Sequence, residues 1–123
     1  MTASQKYEPQ AFSRSARTEI RGVNYHVLEW GNSEQPLLFM LHGWGDCGAS
    51  FQFVVDELQK DWFVVAPDWR GFGRSRIRCT SYWFPDYVAD LHVLLAHYQS
   101  DKPVHLLGHS MGANSAGLYA GIF

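Results

Sequence analysis

The sequence predicts an α/β fold: a mostly parallel sheet with an antiparallel hairpin at its N-terminal edge and helices on its faces. Three observations carry this. Residues 37–41, 62–66 and 104–107 are short, nearly all-apolar runs, the pattern of strands covered on both faces. Between them Phe51, Val54, Val55 and Leu58, and then Phe84, Val88, Leu91, Leu95 and Tyr98, recur at helical spacing. Ahead of both, Val23, Tyr25 and Val27 alternate with Asn24 and His26, so residues 18–30 read as a half-wet hairpin around Gly22.

Taken in order, residues 1–16 are mixed polar with Lys6, Pro9 and Arg14 and lack either periodicity, which predicts a flexible arm. Residues 17–123 form the folded domain. Ser50 is placed to cap the first helix, and Pro85 fits the opening turn of the second, where its missing N–H costs nothing. A hairpin followed by strand–helix–strand–helix–strand requires right-handed parallel crossovers. Residues 68–78 make the longest connection, with Gly71, Gly73, Ser75 and four arginines at a strand tip, where open α/β sheets bind ligands.

The 123 residues amount to one domain with one core. A composition of 46% hydrophobic and 18% charged residues excludes a disordered chain. A net charge of -2 without any basic run leaves no electrostatic pull toward nucleic acid or anionic lipid. Cys47 and Cys79 read as ordinary thiols, residues 1–16 contain no apolar leader segment, and no run is long enough to span a membrane. The expectation is a soluble cytoplasmic protein, with no nucleic-acid or membrane partner.

Residues 41–50, LHGWGDCGAS, admit two readings. Gly43, Gly45 and Gly48 hold the spacing G-x-G-x-x-G with Asp68 twenty positions further on, the formal dinucleotide fingerprint. The same stretch places His42, Gly43 and Trp44 at a strand tip, where main-chain N–H groups can meet a developing negative charge. Gly108-His109-Ser110-Met111-Gly112 bears on the choice. It puts G-x-S-x-G directly after an apolar strand and before a run of small and apolar residues, the context of a nucleophile elbow. On such a turn the serine hydroxyl protrudes, and side chains at Gly108 and Gly112 would collide with strand and helix.

At these residues the chain resembles the serine-nucleophile branch of the α/β-hydrolase superfamily, over residues 18–123. His42-Gly43-Trp44, Asp68-Trp69-Arg70-Gly71-Phe72-Gly73-Arg74-Ser75 and Gly108-His109-Ser110-Met111-Gly112 follow the third, fourth and fifth strands in the family's order. The resemblance implies that Ser110 is the nucleophile and that the backbone N–H groups of Trp44 and Met111 form the oxyanion site. Gly108, His109, Gly112, His42 and Gly43 would then support the elbow and the turn, and the Asp68 block would hold a loop. The glycine spacing becomes a coincidence, because this turn follows a hairpin and carries the bulky Trp44 where a pyrophosphate would approach.

No cofactor or metal is expected. His92 and His97 stand five apart on a helix and share no face. His26 and His105 read as hydrogen-bonded strand residues, and no histidine is spaced to activate Cys47. The implied reaction is esterase-like acyl transfer on a small ester-like substrate. In this fold the triad runs serine, acid, histidine, yet the thirteen residues after Ser110 contain no Asp, Glu or His. The expectation is therefore the N-terminal part of a serine hydrolase, its acid and base supplied by further sequence. The alternatives are an inactive binding or regulatory fragment and, on the glycine spacing alone, a nucleotide-binding oxidoreductase. A serine at the elbow argues against the epoxide hydrolase and dehalogenase branches, which use aspartate there.

Overall fold

The computed structural model describes residues 4–76, 79–99 and 101–123. Its organising element is the strand β3, Leu37–Leu41, whose five residues are all buried. Strand side chains alternate between faces. Leu37, Phe39 and Leu41 therefore enter one hydrophobic cluster, while Leu38 and Met40 enter the other. Full burial of side chains such as Phe39 and Met40 stabilises the fold by about 1.5–3 kcal/mol each.

Each cluster needs a helical lid. On the first face the helices α2, Phe84–Tyr98, and α3, Met111–Ile122, contribute Leu91, Leu94, Leu95 and Met111. On the second, a 3₁₀ turn at Gly48–Phe51 running into the short helix α1, Gln52–Glu57, contributes Phe51 and Val55. The result is three layers with the sheet in the middle.

The sheet has five strands. β1, Arg14–Ile20, and β2, Val23–Trp30, form the antiparallel hairpin; β4, Phe63–Pro67, pairs antiparallel to β2 and parallel to β3; β5, Val104–Gly108, pairs parallel to β3. The order is β1-β2-β4-β3-β5. From β3 the chain moves to β4 on one side and later reaches β5 on the other. The carboxyl ends of β3 and β5 thus flank a switch point, where open α/β sheets form their crevice. His42-Gly43-Trp44 and His109-Ser110 emerge there.

Four expectations need correction. Arg14, Ser15 and Ala16 belong to β1, paired with Glu29, Leu28 and Val27, rather than to a flexible arm. They look unstructured in the sequence because β1 is an edge strand with one face in water. Further back, the Gln10 and Ala11 N–H groups donate to Asp56 Oδ1 at 3.1 and 2.9 Å and Gln52 Nε2 donates to the Ala11 carbonyl at 2.8 Å, tying this segment to α1. Ser50 is no cap: it lies inside the 3₁₀ turn and donates its hydroxyl to Asp46, because the turn already begins at Gly48. Val54 faces solvent, since so short a helix buries only one narrow stripe. Finally, β5 is covered less than its apolar run implied; it is the last strand of this sheet, and Leu107 remains 36% exposed. Of residues 68–78, Ile77 and Arg78 lie outside the described residues.

Candidate active site

Ser110 has φ 54° and ψ -116°, a conformation L residues rarely adopt, directly between β5 and α3. Such strain persists only where the surroundings over-determine it, and here they do. A Cβ at Gly112 would lie 2.0 Å from the Leu41 carbonyl oxygen, and one at Gly108 would lie 2.5 Å from the Ala113 nitrogen. The turn is pinned from outside by the His109 N–H, which donates to the Leu41 carbonyl at 3.0 Å, and from within by the Gly112 N–H donating to the His109 carbonyl at 2.9 Å. Met111 opens α3, so the helix itself offers its N–H no partner.

Gly43 lies against this elbow. A side chain on it would sit 3.2 Å from Ser110 Cβ and 3.1 Å from His109 Nδ1, so the β3 tip and the Ser110 turn are in contact. Trp44 follows, a residue 69% exposed whose ring stands edge-on to Phe72 at 4.9 Å.

His42, fully buried, orients this turn. The Trp69 N–H donates to His42 Nε2 at 2.9 Å, which makes Nε2 the acceptor and leaves the ring proton on Nδ1; Nδ1 donates to the Gly43 carbonyl at 2.7 Å. Burial holds the His42 imidazole below its ordinary range, so the ring stays neutral, as this pattern requires. In a planar trans peptide the C=O and N–H point oppositely. By holding the Gly43 carbonyl, His42 therefore also fixes the direction of the Trp44 N–H. With both ring nitrogens engaged in the main chain, His42 serves as a scaffold.

The three glycines of G-x-G-x-x-G are each accounted for without a pyrophosphate. Gly43 abuts Ser110, Gly45 has φ 76° in a turn closed by Asp46 N–H to the Gly43 carbonyl at 3.3 Å, and a Cβ on Gly48 would come 2.6 Å from the Ala66 carbonyl oxygen. Asp68 is likewise committed: Oδ1 accepts from the Gly48 N–H at 2.7 Å, and Oδ2 from the Arg74 N–H at 3.0 Å and His26 Nδ1 at 2.8 Å. The spacing of the fingerprint reflects a clamp between this turn and the loop after β4.

That loop is anchored by Arg70, which the sequence reading gave to the loop, and by Asp90 and Tyr25, which it left unassigned. Arg70 donates through Nε and Nη2 to the two oxygens of buried Asp90 at 2.6 and 2.7 Å, and the Tyr25 hydroxyl adds a third bond at 2.6 Å. Burial, followed by the charge of Asp90, pushes the Tyr25 phenol far up, so it remains a donor. A signal for Asp90 was present: it is an acid among Tyr87, Leu91 and Leu94 on the apolar stripe of α2. Among the remaining candidates, His105 packs edge-on to Trp62 at 5.0 Å, and His92 stacks on Phe123 at 4.2 Å. Among the described residues no group of three or more His, Cys, Asp and Glu could hold a metal, and no helix is long and apolar enough to cross a membrane.

A strained serine between two obligatory glycines, at the switch point of an α/β sheet, is the architecture of a hydrolase elbow. Comparison with known proteins agrees. Residues 36–123 match the family model of the alpha/beta hydrolase fold, and the chain belongs to that family. It is 38% identical over 96 residues to a serine hydrolase-like protein of Danio rerio, covering 76% of this chain and 29% of that one. To epoxide hydrolase 3 of Xenopus tropicalis it is 30% identical over 106 residues, 85% of this chain and 29% of that one. Among solved structures, the thioesterase domain from the curacin biosynthetic pathway superposes with a TM-score of 0.83 at 30% identity, covering 90% of this chain and 40% of that one. The chain spans about a third of the length of the curated relatives it matches.

Proposed function

We propose that this chain carries the nucleophile and oxyanion half of a serine hydrolase acting on small ester-like substrates. Ser110 attacks the carbonyl carbon, and the N–H groups of Trp44 and Met111 receive the charge that develops on its oxygen. The general base and its acid are supplied by sequence following Ser110 in the whole protein. The observation that carries the reading is the Ser110 backbone, φ 54° and ψ -116°, held between glycines that admit no side chain. Strain at a residue that could relax by substitution points to a function for its hydroxyl.

Relatives include both serine hydrolase-like proteins and epoxide hydrolases. The elbow residue favours the former, since a serine supplies a hydroxyl nucleophile where epoxide opening in this fold uses a carboxylate.

A serine hydroxyl without a base is a weak nucleophile. Loss of the base in a triad enzyme costs about 10⁶ in turnover, while oxyanion hole and binding retain roughly 10³–10⁴ over water. The test is to assay 4-nitrophenyl esters with residues 1–123, with the whole protein, and with Ser110→Ala in each. Turnover in the whole protein that vanishes with Ser110→Ala supports the proposal. Whole-protein turnover unaffected by Ser110→Ala overturns the nucleophile, and rapid Ser110-dependent turnover by residues 1–123 overturns the assignment of the base to later sequence.

A further inference from the structure

At the far edge of the sheet from Ser110, a second serine stands in front of a histidine and an aspartate. Ser15 Oγ lies 3.0 Å from His26 Nε2, and His26 Nδ1 lies 2.8 Å from Asp68 Oδ2. The three residues come from β1, β2 and the end of β4, which are adjacent in the sheet. Register explains the meeting: Ser15 pairs with Leu28 and Arg17 with His26, which makes Ser15 and His26 diagonal neighbours on one face. We propose that Ser15, His26 and Asp68 form a second nucleophilic site that accepts an acyl or phosphonyl group from small ester-like electrophiles.

Protonation follows from the donor count. Asp68 already accepts from the Gly48 and Arg74 N–H groups, and an ionised carboxylate can only accept, so the ring proton of His26 sits on Nδ1. In the neutral ring Nε2 then presents its lone pair to Ser15, whose hydroxyl is the donor. This is the tautomer and the order of contacts by which an imidazole acts as general base on a serine. Burial divides the roles: His26 and Asp68 are enclosed, whereas Ser15 is exposed. The site opens into a cleft of about 320 Å³, lined also by Leu28, Ala49 and Cys47, room for a short acyl chain.

In the reaction, Ser15 Oγ bonds to the carbonyl carbon while its proton passes to His26 Nε2. The ester C–O bond then breaks, the alcohol leaves with that proton, and acyl-Ser15 remains until water releases it through the same base. With a fluorophosphonate, oxygen bonds to phosphorus, fluoride leaves and the proton stays on the imidazole.

The test uses the Ser110→Ala protein, so that failure at Ser110 and failure here are separate results. After exposure to a fluorophosphonate, the adduct is located by peptide mass spectrometry. A general base contributes typically 10²–10⁴-fold, so Ser15 should label at least tenfold faster than Ser13, a serine of the same cleft, and His26→Gln should remove that advantage. Labelling of Ser15 no faster than Ser13 in protein with an unchanged circular dichroism spectrum overturns the proposal. Should His26→Gln fail to fold, Ser15→Cys replaces it: the introduced thiol should be alkylated by iodoacetamide at least tenfold faster than Cys47, and equal rates overturn the proposal.

Discussion

Helix α3 contains a matched pair of glycines that one substitution distinguishes. At Gly112 an added methyl would lie 2.0 Å from the Leu41 carbonyl oxygen and 2.8 Å from that of His42, the first about 1.5 Å inside ordinary van der Waals contact. Both obstacles are main chain, so no rotamer change relieves them, and β3 and α3 must separate. Both are also acceptors: Leu41 for the His109 N–H and His42 for Trp69 Nε1, each at 3.0 Å. Overpacking costs about 1–3 kcal/mol, and weakening two hydrogen bonds adds on the order of 1 kcal/mol. Gly112→Ala should therefore lose roughly 3 kcal/mol, lowering Tm by on the order of 10 °C. At Gly117, five residues along, no atom beyond its chain neighbours and the local backbone of its own helix lies within 4 Å of the added methyl. There the same change only restricts the unfolded chain, and Gly117→Ala should gain about 0.5–1 kcal/mol. Urea and thermal unfolding of residues 1–123 and the two variants give the answer. A Gly112→Ala protein as stable as Gly117→Ala would refute the close packing of elbow and β3. Under the role proposed for Ser110, the shift should also lower turnover of the whole protein, since a 1 Å displacement of a nucleophile from its oxyanion donors is worth up to about 10²-fold.

Three further perturbations follow from the same coordinates. Ser110→Gly should be more stable than Ser110→Ala by about 1 kcal/mol in urea unfolding, because only glycine relaxes the positive φ; equal stability would contradict the strain. Asp90→Ala leaves the Arg70 guanidinium and Tyr25 hydroxyl buried without their carboxylate and should cost about 3–5 kcal/mol, whereas Arg70→Met with Asp90→Leu should cost much less. The pH dependence has a defined sign. His42 is held below its ordinary value of 6.5, so the unfolded chain binds the proton more readily; its contribution is complete above about pH 6.5 and declines as pH falls through the lower folded value. The loss of urea stability between pH 7.5 and 5 should be smaller in His42→Gln, while Asp46 and Asp86, whose carboxyls hydrogen bonds from Ser50 and Ser81 hold low, act only below about pH 3.8.

What could be read in the sequence was what is local. The elbow was legible because its strain is written in five consecutive residues, where the backbone of Ser110 dictates glycine on either side. β3 and β4 were legible because burial on both faces forbids polar residues, and the hairpin because its period of two survives a wet face. Ser15 and the segment at Gln10 and Ala11 were not, since an edge strand and a docked coil carry no periodicity and are held by partners more than ten residues away. β5 misled for the opposite reason: its apolar run records what the strand can bury, whereas here Leu107 stays 36% exposed and its neighbour on that face, His105, has the Trp62 ring beside it. His26 was expected to be hydrogen-bonded, and it is, at both nitrogens. That one of its partners is an exposed serine depends on strand register, which the alternation of Val23, Tyr25 and Val27 leaves open.

The loop after β4 joins these observations into one device. Its pattern D-x-R-G-x-G-x-S reads as a set of attachments. Asp68 takes the Gly48 N–H and the His26 ring, Arg70 takes Asp90, Gly73 leaves room for the Asp68 carboxylate, and Ser75 Oγ accepts from the His26 N–H at 2.9 Å. Between the first two, Trp69 donates its main-chain N–H to the His42 ring and its indole N–H to the His42 carbonyl. Adjacent residues thus control opposite ends of the sheet. Trp69 sets the histidine that holds the Gly43 carbonyl, and Asp68 sets the histidine that faces Ser15. Both residues are tethered to α2 through the buried Arg70–Asp90 pair that follows them in the loop. One short loop thus holds both imidazoles, His42 through the main chain of Trp69 and His26 through the carboxylate of Asp68.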